Sequence, residues 1–326
     1  MKGSPAGTLP TVTDAPTETI IINNSGYRFP SAVFEWPGVR VVEVTAEDDV
    51  PGDLTGDVVV TTTEGSGNLA EILACGVDWV HTIGTGVDHF PFDVLDGQTL
   101  TCSRGASGLP IGEWVFAQML SFAKAMPEVF IGDAPESWGI DRRIGSLRGA
   151  TVIIVGVGGI GTEVARLSLA LDMTVIGVRR RGNVSPFDEM TVVNDLSEVI
   201  GEADHLVLAA PATAETRHLI DTSMLARVKP GLHLVNIARG TLVDQDALRI
   251  ALDDQRVARA SLDVTDPEPL PADHWLYDHP QIHLTPHTSW MGPGALNTMM
   301  ALLRTNYDHF RSGEPLEGIV DVQVGY

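Results

Sequence analysis

Cysteine is nearly absent from this sequence: Cys75 and Cys102 are the only two in 326 residues. They are too few and too widely separated for a disulfide framework or a thiolate metal site. No metal site is expected, and a reducing, cytoplasmic setting fits. Also missing is any run of 18 or more apolar residues, which excludes a transmembrane helix. The first 18 residues (MKGSPAGTLPTVTDAPTE) have no signal-peptide apolar core and read as a loose tail. Positive charge is scarce, with 21 Lys and Arg against 43 Asp and Glu, a net charge of −22. Such a surface repels nucleic acid and anionic membranes, which removes both as partners. It repels small anions too, so a site for one must gather positive charge locally.

What is present is alternation. Short β-rich runs occur at 19–23, 39–44, 57–63, 79–84 and 98–103. A helical NLAEILAC interrupts them, with Leu69, Ile72 and Leu73 on one face. A longer helix is predicted over 110–126, opened by Pro110, with Val115, Phe116, Met119, Leu120 and Phe122 as its apolar face. A Gly- and Pro-containing excursion follows at 129–145. A second series of strands is then expected at 151–156, 173–178, 204–210, 232–238, 258–264 and 281–286, and a closing helix at 294–313, ended by Gly313. Strand–helix alternation implies parallel strands covered by helices on both faces.

One loop carries chemistry by its context. TVIIVGVGGIG contains G-x-G-x-x-G as Gly156, Gly158 and Gly161, after an apolar strand and before a helix-like run. Gly156 permits the turn, Gly158 admits a pyrophosphate and Gly161 lets helix and strand pack closely. The free N–H groups around Gly159 and Ile160 would then hold the diphosphate. NAD binders usually carry Asp or Glu about 20 residues on, for the ribose 2′-hydroxyl. Here the second strand runs instead into Arg179, Arg180 and Arg181. Guanidiniums suit a 2′-phosphate, so NADP is the favoured cofactor, with NAD as the alternative. A solvated basic turn is the competing reading of the arginines.

Three later segments fall in order: VNIARGTLVDQDAL (235–248), LDVTDPEPLP (262–271) and LTPHTS (284–289). Together with GTGVD at 84–88 and the glycine loop they resemble the D-isomer-specific 2-hydroxyacid dehydrogenase family, which includes glyoxylate/hydroxypyruvate reductases. A guanidinium after a strand, at Arg239, can hold a carboxylate bidentately and polarise a neighbouring carbonyl. A histidine, His287, can exchange a proton near neutral pH. The resemblance implies that Glu268 pairs with His287, fixing its tautomer. It implies that Asp263 accepts from the nicotinamide carboxamide and that Pro211, Ile237 and Ala238 flank the cofactor. Thr85 and Gly86 become donors to the substrate carboxylate. Two positions depart from the pattern. Ala210 offers no polar side chain before Pro211, and Trp290 follows a histidine that family members usually follow with small residues; it either narrows the pocket or packs.

The fold that the resemblance implies is α/β, two Rossmann-like doubly wound parallel-sheet domains with an interdomain cleft. The substrate-binding, flavodoxin-like domain is expected over 19–109 plus 291–326, and the dinucleotide-binding domain over 110–290. Family members are usually homodimers joined through about 110–145, where Trp114, Phe116, Phe130 and Trp138 are apolar candidates. The substrate class is a small 2-oxo or 2-hydroxy acid, with glyoxylate, hydroxypyruvate, pyruvate and bulkier acids all open. A non-enzymatic dinucleotide-sensing or corepressor-like protein is the competing class. A long-form phosphoglycerate dehydrogenase is disfavoured by the chain's end at Tyr326.

Overall fold

The computed structural model describes residues 18–134, 138, 144–180, 182, 184–292 and 294–326. The tail expected over 1–18 lies, apart from Glu18, outside these residues. The chain divides into one unit of residues up to 106 with 294–326, and a second of 107–293.

In the first unit, β1 (Thr19–Asn23), β2 (Val39–Glu43), β3 (Val58–Thr62), β4 (Trp79–Ile83) and β5 (Thr99–Cys102) form a parallel sheet in the order β2-β1-β3-β4-β5. Side chains alternate across it with the two-residue strand period. Ile22, Val59 and Val80 meet Leu69, Ile72 and Leu73, of which α1 (Leu69–Leu73) is built. Ile21, Val58, Val60 and Trp79 face the other way, against Met300, Leu303 and Tyr307 of the closing helix Ala295–Ser312. Gly313 ends that helix in the left-handed conformation, as expected from its position.

The second unit opens with α2 (Gly108–Ala123), which starts two residues before Pro110. Pro110 therefore sits inside the first turn, where its missing N–H still costs no helical bond. Then come β6 (Thr151–Val155), α3 (Gly159–Leu169), β7 (Thr174–Val178), β8 (Thr191–Val193), β9 (His205–Leu208), α4 (Thr222–Leu225), β10 (Leu232–Asn236), α5 (Gln245–Asp253), β11 (Val257–Leu262) and β12 (Ile282–Leu284). The sheet is parallel in the order β12-β11-β10-β9-β6-β7-β8. Its strand order reverses between β6 and β9, the place where open α/β sheets bind ligands beyond their carboxyl ends. Ile153 and Val155 pack on one face, Val152 and Ile154 on the other against α2 and α3 residues Ile111, Val115, Met119, Val164 and Ala165. The sequence reading did not anticipate β8, a three-residue edge strand, or α5. Asp244 caps α5, its carboxylate accepting from Asp246 N and Ala247 N at 3.1 Å.

Buried histidines tie neighbouring strands of the second unit's sheet together. His205 and His233 face each other Nδ1 to Nδ1 at 3.1 Å, so one must donate and the other accept. His233 reaches Ser261 Oγ through Nε2 at 3.0 Å, and Ser261 donates to Gln118 of α2 at 3.2 Å. Burial lowers His205 to about 4 and drives His233 down as well. In the first unit burial lowers His81 to about 3. The sign follows directly. The unfolded chain takes up protons at about pH 6.5, but the folded chain does so only at the lowered values. Stability is therefore intact above about pH 6.5 and falls as pH drops below it, by about 1.4 kcal/mol per pH unit for each imidazole. Calorimetry should show Tm declining from about pH 6.5 to 4.5, less steeply in His81→Gln; a flat Tm would contradict the account.

Candidate active site

The switch point is built around Gly156, which follows β6 with φ +97°. A Cβ there would lie 2.6 Å from the carbonyl oxygen of Ala209 at the end of β9. Only glycine lets these two strand ends come so close. Gly158 caps α3 from an extended conformation without a side-chain bond, and the first helical bond is Thr162 N–H to Gly158 O at 2.9 Å. The N–H groups of Gly159, Ile160 and Gly161 thus precede the helical ladder, at the positive end of an 11-residue helix. This cradle, which a side chain would fill, fits a dinucleotide diphosphate.

At the end of β7, Arg179 donates from Nη1 to Val184 O at 2.9 Å, and Arg180 is ion-paired with Glu215. Arg181 lies outside the described residues. Glu215 comes from the loop after β9, a neighbour that sequence spacing did not reveal. Pro211 is exposed, and its carbonyl accepts from Thr216 Oγ1 at 2.8 Å. Ile237 and Ala238 are buried, so main chain is what they offer a ligand.

Three adjacent strands, β10, β11 and β12, deliver the proposed reactive groups from their carboxyl ends. After β10, Asn236 braces the turn from both sides. Its Oδ1 accepts from Ala238 N at 3.1 Å, and its Nδ2 donates to Arg239 O at 2.9 Å. Arg239 Nη1 in turn donates to Ala238 O at 2.7 Å. Gly240 then passes the loop after β11 so tightly that a Cβ would sit 1.9 Å from the Thr265 carbonyl carbon. That approach explains the Arg-Gly pair physically: the glycine admits the loop that carries Glu268. Glu268 Oε1 accepts from Thr265 N at 2.8 Å, and Oε2 meets His287 Nδ1 at 2.9 Å. Burial works to raise the Glu268 carboxyl. The hydrogen bonds from His287 and Thr265, with the nearby charges of His287 and Arg239, outweigh it and hold the carboxyl below its ordinary range. With Nδ1 occupied, Nε2 is the nitrogen that His287 can offer a substrate oxygen.

Asp263, the residue expected at the nicotinamide, follows β11. It is 1% exposed, and its carboxylate accepts from Thr285 Oγ1 at 2.6 Å, Thr288 N at 2.8 Å and Ser289 N at 2.9 Å. Those bonds clamp the loop that bears His287. In the first unit, Thr85 and Gly86 follow β4, and Thr85 Oγ1 donates to Ser103 O at 3.1 Å. Among the described residues no group of three or more potential ligands could hold a metal ion, and no helix is long and apolar enough to cross a membrane.

A doubly wound parallel sheet with a glycine cradle at its switch point defines a Rossmann-type dinucleotide-binding protein. Residues 116–289 match the family described as D-isomer specific 2-hydroxyacid dehydrogenase, NAD binding domain. The chain is 33% identical over 251 residues to glyoxylate/hydroxypyruvate reductase B of Pectobacterium atrosepticum, covering 74% of this chain and 78% of that one. It is 31% identical over 247 residues to D-3-phosphoglycerate dehydrogenase of Bacillus subtilis, covering 73% of this chain but 46% of that one. The chain thus spans about half the length of that relative. A crystal structure of a D-isomer specific 2-hydroxyacid dehydrogenase family protein from Aeromonas salmonicida aligns with TM-score 0.75 and 27% identity, over 94% of this chain and 99% of that chain. This protein belongs to the D-isomer specific 2-hydroxyacid dehydrogenase family.

Proposed function

We propose that the protein is an NAD(P)-dependent 2-oxoacid reductase, NADPH being favoured, that converts a small acid such as glyoxylate or hydroxypyruvate to its 2-hydroxy acid. The observation that carries this reading is the Glu268–His287 hydrogen bond at the edge where β10 delivers Arg239. A bound reduced nicotinamide supplies the hydride to C2. Arg239 grips the carboxylate and draws charge from the 2-oxo group. His287 Nε2 gives a proton to the carbonyl oxygen as C2 is reduced, and recovers one from solvent. Glu268 stabilises the protonated imidazole and keeps Nδ1 turned away from the substrate.

A panel of 2-oxo acids with NADPH and NADH, followed by absorbance of the reduced nicotinamide, tests the reading. Reduction of at least one short acid is expected. Failure with all of them, alongside retained dinucleotide binding, would overturn it in favour of a dinucleotide sensor. The cofactor preference rests on Arg179 and Arg180. Losing a charge-assisted bond to a 2′-phosphate costs about 1.5–3 kcal/mol, so Arg180→Ala should raise KM for NADPH roughly 10- to 100-fold and leave that for NADH nearly unchanged. Equal effects on both cofactors would remove the arginine from 2′-phosphate recognition.

We further propose a homodimer in the cytoplasm. Leu109, Phe130 and Ile131 are more than half exposed and Trp138 is 86% exposed, in keeping with a covered face near 110–145. Trp114 and Phe116 already pack within their own unit. The two cysteines, both free thiols, suit a reducing compartment.

A further inference from the structure

We propose that Trp290 is a positioning residue, whose indole N–H holds the His287 main chain in the turn that aims its imidazole at Glu268. This rests on the acid/base reading of His287. The turn is costly: His287 has φ +54°, a left-handed conformation that disfavours a non-glycine residue by about 1–2 kcal/mol. Something must hold it there.

The residues around it do so from two sides. On the amino side, His287 N donates to Asp263 O at 2.8 Å and to Thr285 O at 3.0 Å, above the Asp263 carboxylate clamp. On the carboxyl side, Trp290 Nε1 donates to His287 O at 3.0 Å. The same indole packs against the cluster containing Ile111, Val115, Val157 and Ile237, which ties it to the sheet and to α2. An anchored donor thus pins the carbonyl of the one residue whose side chain must meet Glu268 at Nδ1. The charged groups acting at this point are Glu268, which pairs with the ring, and Arg239, whose charge reaches Glu268; Asp263 is occupied by the turn itself.

Trp290→Phe keeps an aromatic ring for packing and deletes only the donor. The variant should lose about tenfold in kcat, with KM for the 2-oxo acid changed less than about twofold, because the carboxylate is gripped elsewhere. In a Glu268→Gln background the same substitution should cost far less, since the geometry it protects is already lost. Nitrogen-15 spectra of the His287 ring give a readout independent of turnover. The wild type should show the Nδ1-protonated tautomer, and Trp290→Phe a mixture of tautomers. An unchanged ring signature with kcat within twofold overturns the proposal. So does a raised KM at constant kcat, which would make Trp290 a pocket wall. Were the wild type to reduce no 2-oxo acid, the function proposed above would fall, and the ring spectra alone would still decide the role of Trp290.

Discussion

His287→Ala is expected to lower kcat about 10²- to 10⁴-fold, the range that a positioned acid/base contributes. The imidazole has Nδ1 committed to a carboxylate, Glu268 at 2.9 Å, and under the proposed function Nε2 serves the substrate. Alanine removes both functions at once. It also leaves an alanine at φ +54°, so a loss through misfolding must be separated from a loss of chemistry. His287→Asn does this, because asparagine tolerates the left-handed region better than other side chains and has no titrating nitrogen. Both variants should retain dinucleotide affinity, measured by calorimetry, since the glycine cradle lies at β6 and α3. Turnover of either variant within tenfold of wild type would strip His287 of its role.

Much of the layout of this site is legible in the sequence. The spacing of the glycines located the cradle, and the three motif segments placed Arg239, Glu268 and His287 at strand ends. Short, nearly continuous runs of branched apolar residues marked the long strands, because parallel strands buried on both faces carry such residues throughout. Short elements escaped: β8 has three residues, too few for a period to register, and α5 was masked by the motif in which it lies. The division of labour among polar residues was also hidden. Nothing in the sequence showed that the Asp263 carboxylate takes three donors from the loop bearing His287. Glu215 gave no signal, because its partner Arg180 lies 35 residues away on a different strand end. Trp290 stood out as a departure from the family, yet neither reading of it foresaw a bond to the histidine's own carbonyl. Long-range polar pairs carry no periodicity, so sequence patterns cannot encode them.

Arg239→Ala should be as damaging as loss of the histidine, and in a different way. A protein of net charge −22 offers a carboxylate substrate little general attraction, so its capture depends on local guanidinium. Under the proposed function Arg239 serves that task, and Asn236, which braces its turn, and Gly240, which lets the Glu268 loop pass against it, hold it in place. Because the same guanidinium would bind the carboxylate and polarise the carbonyl, removing it should raise KM and lower kcat together, with kcat/KM falling about 10³-fold or more. Arg239→Lys separates the two contributions. It restores the charge but not the planar fork, so it should recover affinity more than turnover. A change in KM alone in both variants would leave Arg239 a binding group, and the polarisation of the carbonyl would have to come from His287.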